Sequence, residues 1–342
     1  MTDKIYINSI KQISAQKSMA EDWFEQPVFY SESYVRAIEP DYKQFFTPNE
    51  ARRLGKILKR ALLVSREAMK ETNIPVPDAI ITGTGLGCIE NTEIFLDKLV
   101  REGEELLNPT HFMQSTHNTI SSLIAIDAKC HAYNTTYAHK GISFECALQD
   151  AFIQMKDGKI QNALVGAHDE MTPDYFTILK KGGYLGNPGQ TFAGETAIAM
   201  ILSTEKSEKT LCKIEKVEKI YTGRAHRETT ESQIKSVISK IDKDIDYIMI
   251  GTNGVEENDK IYFDNCTRLF PNIPLLQYKN VFGESYTAPA LGVYAAAVCL
   301  QRGKIPEHLL INAKAEDLPT PQKILCYNHF EEKNHTFVLL SK

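Results

Sequence analysis

The chain repeats itself. An aspartate, four strand-forming residues and a Gly-Thr pair occur as Asp78-Ala79-Ile80-Ile81-Thr82-Gly83-Thr84 and again as Asp246-Tyr247-Ile248-Met249-Ile250-Gly251-Thr252. The apolar run from Ala151 into Asp157-Gly158-Lys159-Ile160 returns as the run from Ala296 into Arg302-Gly303-Lys304-Ile305, with Ala163-Leu164-Val165-Gly166 matched to Leu309-Leu310-Ile311-Asn312. Ala199-Met200-Ile201-Leu202-Ser203 returns as Phe337-Val338-Leu339-Leu340-Ser341. Each match is short, but all keep the same order, which is the mark of an internal duplication. The physical reading is two copies of one α/β unit, divided as residues 1–208 and 209–342. Their most buried helices read as apolar all round, so the sheets lie sandwiched between helix layers.

With 342 residues there is ample material for a core. The net charge of -5, with Lys and Arg scattered rather than striped, argues against nucleic acid as a ligand. Seven cysteines contain no C-x-x-C pair and are odd in number, so neither a zinc site nor a disulfide framework is expected; reduced thiols in a cytoplasm are the simpler reading. No signal peptide and no membrane span is expected, the longest apolar run, residues 294–300, being a buried helix.

Residues 4–13 form an opening strand. Residues 18–46 crowd in Trp23, Phe24, Phe29, Tyr30, Tyr34, Tyr42, Phe45 and Phe46 without periodicity, as an ordered covering loop packed on this chain's own core or on a partner, the former being the better reading. Thr47-Pro48-Asn49-Glu50 opens a helix with a capping box, continued through Leu54, Ile57, Leu58, Ala61, Leu62, Ala68 and Met69. A strand from Ala79 runs into Gly83-Thr84-Gly85-Leu86-Gly87, which fails as a dinucleotide fingerprint because its last glycine position holds Cys88; a tight turn is the better reading. Helices are expected over 90–107 and 115–128, strands over 163–167 and 196–203, and a Tyr- and Gly-rich loop over 175–189.

The stretch from Cys130 to Ala151 is the centre of the first half. Its Thr/Tyr alternation reads as a strand and its apolar spacing from Ile142 onward as a buried helix, with Gly141 at the hinge. A sharp strand-to-helix turn aims a side chain at a site, backed by a helix N-terminus. Here that position has no side chain.

The duplicated pattern, with a strand-elbow-helix in the first half and a lysine-bearing loop before the buried helix of the second, resembles the thiolase fold, and within it the β-ketoacyl synthases. The segments that carry the resemblance are residues 134–151, Gly166-Ala167-His168-Asp169-Glu170, residues 194–202, Gly251-Thr252, and Lys279-Asn280-Val281-Phe282-Gly283-Glu284 running into Ala288-Pro289-Ala290-Leu291-Gly292. The fold this implies is α/β, a thiolase-like duplicated five-layer αβαβα sandwich. Condensing members of that family carry a cysteine at the elbow, which takes the acyl chain from a carrier protein, and two histidines that support decarboxylation and the developing oxyanion.

Carried across residue by residue, the resemblance implies an emptied site. Counting back from Gly166 puts the nucleophile position at Gly141; the two histidine positions fall on Ile250 and Glu284, while Lys279 is kept. The glycine-rich loop near the C-terminus is replaced by Phe330-Glu331-Glu332-Lys333-Asn334. Glycine cannot attack, isoleucine cannot donate a hydrogen bond, and an ionised glutamate only accepts. The expected job of Glu284 is to pair with Lys279.

The resemblance thus points to a catalytically silent homologue, a chain-length factor partnering an active ketosynthase in polyketide or polyene assembly of the aryl-polyene or flexirubin type. Its partner interface is expected at Asn134, Thr135, Thr136, Tyr137 and Ala138. It would hold no cofactor or metal, meeting the 4'-phosphopantetheine of an acyl carrier protein only through the heterodimer. The rivals are an active condensing enzyme using Cys146 and a stand-alone acyl-binding protein. Cys146 lies more than a turn into a buried helix, where a structural thiol is the better reading. His131, His139 and His168 read as ordinary polar residues, and Arg224, Arg227 and the lysines over 213–219 as a solvated face that an acidic carrier protein would also suit.

Overall fold

The structure, a computed structural model, describes residues 4–105, 107, 109–223, 227–239, 244–312 and 318–342, the side chains of 227–231 excepted. The first part of the chain runs β1 (Tyr6–Ile13), α1 (Pro48–Arg53), α2 (Lys56–Thr72), β2 (Ala79–Gly83), α3 (Ile89–Glu102), α4 (Pro109–Ser115), α5 (Thr119–Asp127), β3 (Tyr133–Tyr137), α6 (Ser143–Lys156), β4 (Asn162–Asp169), α7 (Pro173–Lys181) and β5 (Thr196–Ser203). The second runs β6 (Cys212–Tyr221), α8 (Arg227–Ile238), β7 (Tyr247–Ile250), α9 (Glu256–Leu269), β8 (Leu275–Gln277), α10 (Lys279–Phe282), α11 (Pro289–Arg302), β9 (Lys323–Phe330) and β10 (Asn334–Ser341).

The strands hydrogen-bond in the order β3-β2-β4-β5-β1-β6-β10-β9-β7-β8. From the central β1–β6 contact outward, one side reads β1, β5, β4, β2, β3 and the other β6, β10, β9, β7, β8, with the same parallel and antiparallel pairings in the same places. The repeat in the sequence is therefore a repeat of topology. The repeated aspartates do the same work: Asp78 Oδ2 accepts from the backbone of Gln161 and Asn162 at the start of β4, and Asp246 Oδ2 from that of Gln322 and Lys323 at the start of β9. Between β1 and β6, Tyr6 pairs with Lys213 and Ile7 with Cys212.

Three apolar clusters set the layers. One packs Ile57, Leu58, Leu62 of α2 and Ile120, Ile124 of α5 on the outer face of the first half. One packs Ile234 of α8 and Tyr262, Cys266 of α9 on the outer face of the second. Between them, Phe144, Ala147, Leu148 of α6 and the wholly buried Leu291–Leu300 stretch of α11 fill the middle. This is the duplicated five-layer αβαβα sandwich of the thiolase type. α11 is apolar on every side because both halves press on it, whereas α6 also carries Glu145, Gln149 and Asp150.

Several local expectations change. The helix opened by Thr47 does carry its capping box, but it ends at Arg53; Leu54 is extended and Gly55 caps a new helix, since glycine leaves a helix at low cost. Residues 90–128 hold a third helix, α4. The loop expected over 175–189 begins inside α7, where Thr172 accepts from the Tyr175 backbone and Pro173 takes the first turn. Leu309 lies in a 3-10 turn, and the second-half counterpart of β4 is β9, further on; both segments are short apolar runs, which periodicity cannot separate. In the segment before α1, Trp23 packs edge-on against Phe282 at 5.2 Å and donates to Tyr294 Oη at 3.1 Å, so it covers this chain's own core, while Phe29 stays exposed.

Candidate functional site

The elbow is built in three steps. β3 ends at Tyr137, Lys140 takes a left-handed φ of 49°, and Lys140–Ile142 make one 3-10 turn before α6 starts at Ser143. Ser143 Oγ, fully buried, accepts from the His139 backbone at 2.8 Å and lies 2.9 Å from the Thr84 carbonyl, to which it donates. The turn is thus pinned to the glycine run after β2. Gly141 is buried, and its carbonyl accepts from Asn328 Nδ2 at 2.9 Å.

The space over the elbow is filled. A Cβ on Gly141 would lie 2.4 Å from Cδ2 of Phe330, the last residue of β9; a Cβ on Gly85 would lie 2.3 Å from Cβ of Tyr286. These two aromatic rings meet edge to face at 6.1 Å, and Tyr175 Oη reaches Tyr286 Oη at 3.4 Å. The tight-turn reading of the glycine run also has a basis in Gly87, whose φ is +61°.

The other expected positions cluster at the C-terminal end of β7. Ile250 is its last residue, fully buried and in register with Tyr327 and Gln277. A Cβ on Gly251 would meet Tyr262 Oη at 2.7 Å, Tyr278 Oη at 3.0 Å and Lys279 Cε at 3.3 Å. Lys279 Nζ pairs with Glu284 Oε2 at 2.7 Å, and Asn253 Nδ2 donates to the same oxygen at 2.9 Å. The Lys279 cation is therefore neutralised within its own loop.

Glu145 was not singled out in the sequence. It sits one turn beyond Gly141 and is 2% exposed, with Oε1 accepting from Asn328 Nδ2 at 2.7 Å and from Thr336 Oγ1 at 2.9 Å. Burial pushes its carboxyl up to about 7, against those two donors and the nearby Lys279 cation. The signal was a lone glutamate among Phe144, Cys146, Ala147 and Leu148, where a solvated charge has no place. Asp169 and Glu170, at the end of β4, are likewise raised by burial to about 6 and about 7; Asp169 Oδ1 ties down the Thr84 hydroxyl and the Gly85 and Leu86 amides.

Cys146 is buried, its thiol raised above the ordinary value by burial, although Lys219 Nζ donates to Sγ at 3.2 Å. All seven cysteines are free and buried. His168 is buried and held down to about 3 by desolvation, whereas His131 and His139 are exposed, so the three do not share an environment. Arg224 and the Arg227 side chain lie outside the described residues. The residues expected at an interface lie on an accessible edge: β3 is the outermost strand of the first half, with Asn134 and Ala138 exposed and Thr135, Thr136 and Tyr137 half-buried.

The sequence pattern of the family described as β-ketoacyl synthase, N-terminal domain, matches residues 24–249. The chain belongs to the β-ketoacyl synthase family. The same fold recurs in a solved structure described as the ishigamide ketosynthase/chain length factor, with TM-score 0.81, 16% identity and 100% of each chain covered. A ketosynthase (ApeO) in complex with its chain length factor (ApeC) from Xenorhabdus doucetiae gives TM-score 0.79 at 16% identity, covering 99% of this chain and 98% of that one. A β-ketoacyl synthase from Burkholderia phymatum gives 0.79 at 13%, with 100% of each chain covered. No curated protein matches the sequence. Among the described residues, no helix is long and apolar enough to cross a membrane.

Proposed function

We propose that this family member is catalytically silent and acts as the chain-length factor of an active ketosynthase. The observation that carries the reading is Phe330 seated on Gly141: the nucleophile is absent and the space for its side chain is taken by a ring. The paired Lys279 and Glu284, and Ile250 facing the core, leave no general acid or base at the family positions. The likeness to structures described as ketosynthase/chain length factor assemblies supports the same choice.

In this reading β3, with Asn134 to Ala138, offers an unpaired strand edge to the active subunit, which supplies the cysteine and the histidines. A carrier protein brings acyl groups to that subunit on its 4'-phosphopantetheine, and the pathway is of the aryl-polyene or flexirubin type in the cytoplasm. Cys146 as a nucleophile is disfavoured by its burial and raised thiol. Co-expression with a ketosynthase that keeps its Cys-His-His set tests the proposal. A one-to-one complex in which only the partner is acylated supports it; acylation of this chain, lost on Cys146→Ser, overturns it.

A further inference from the structure

Behind the elbow, Glu145 and Tyr278 face one small cavity with volume ≈ 10 Å³. Glu145 Oε2 and Tyr278 Oη are buried and have no hydrogen-bond partner among the described residues. Most of the remaining wall is apolar, from Met249, Pro289, Gly292, Val293 and Val338, with Thr336 and Asn328 adding polar atoms. We infer that this cavity is a binding site for a single water molecule that joins Glu145 to Tyr278.

The size and the chemistry agree. One water needs about 10–15 Å³ of such volume and two to four polar partners. Tyr278 O–H donates to the water, which donates to Glu145 Oε2 when the carboxyl is ionised and accepts from it when it holds its proton; Thr336 and Asn328 belong to the same lining. A dry cavity would leave two orphaned polar groups, each costly to bury. A hard metal cation is disfavoured because it seeks six or more oxygens. The water ties the helix that follows Gly141 to the residue that precedes Lys279, so the two loops at the family site are linked through the interior.

A crystal structure of the wild-type chain at a resolution that shows ordered waters is the direct test. The expected result is one peak within hydrogen-bonding distance of both oxygens. Thermal unfolding of Tyr278→Phe, Glu145→Leu and the double variant is the second. The expected loss in the double variant is smaller than the sum of the two single losses, since either change removes the bridge. A dry cavity, additive losses, or a peak that rubidium replaces with an anomalous signal overturns the inference. Should a variant fail to fold, the wild-type density still decides.

Discussion

Lys279 and Glu284 form a 2.7 Å ion pair inside one loop, with side chains 7% and 16% exposed. Removing one partner from so buried a pair leaves an unpaired charge, at a cost of about 3 kcal/mol, whereas removing both is tolerated. Glu284→Gln is expected to lose about that much stability in chemical denaturation, and Glu284→Gln with Lys279→Met to recover most of it. Equal losses in the two proteins would show that the pair is not what holds the loop.

Phe330 makes a second test at Gly141. With a Cβ placed 2.4 Å from the ring, Gly141→Ala is expected to destabilise by about 1–3 kcal/mol through overpacking. Adding Phe330→Ala opens the space, so the double variant should be more stable than the sum of the single effects, as measured by a double-mutant cycle. Gly141→Cys alone should fail to form an acyl-enzyme in intact-mass analysis.

The turn between β9 and β10 carries two non-glycine residues in left-handed geometry, Glu331 at φ 52° and Glu332 at φ 57°. The conformation suits glycine and costs an L-residue about 1–2 kcal/mol, part of which glycine gives back through the freedom of the unfolded chain. Glu332→Gly is therefore expected to raise the melting temperature slightly, with a gain of about 0.5 kcal/mol. The Thr222 and His335 contacts to the Glu332 carbonyl should persist, since they involve only backbone oxygen.

Glu145 sets a pH dependence. Its folded carboxyl titrates at about 7, above the ordinary 4.5, so the folded state holds a proton that the unfolded state has released. The stability this contributes is complete below pH 4.5 and is lost as pH rises through 7, at up to about 1.4 kcal/mol per pH unit. Glu145→Gln, which mimics the protonated form, should lose none of it. The stability of the variant relative to wild type is expected to climb between pH 5 and 7, and a flat difference would place the titration elsewhere.

The duplication was legible because strands and aspartates recur in fixed order, and Asp78 and Asp246 prove to be the same joint used twice. Helix boundaries were less so. Leu54 fits the apolar spacing of a continuing helix, and only the extended backbone at Leu54 and Gly55 reveals the break. Gly141, Ile250, Lys279 and Glu284 are positions reached by counting along a resemblance, and the structure brings Ile250, Lys279 and Glu284 to the C-terminal end of β7. Phe330 filling the gap cannot be reached that way, because contact between residues so far apart belongs to packing. Glu145 was missed because a helix can turn a glutamate toward water or toward the core, and its partners Asn328 and Thr336 come from strands near the other end of the chain.

The order of the strands also governs how the molecule is made. β1 is synthesised well before its main partner, β5, with which it pairs from Tyr6 against Ser203 to Ile13 against Ala197. Neither can pair until the chain between them has emerged from the ribosome, and β6 and β10 repeat the delay in the second half. Long-range pairing of this kind slows folding and leaves strand edges open while it waits. The nascent chain thus carries Ile7, Ile10 and Ile13 on an unpaired β1 until β5 has been made.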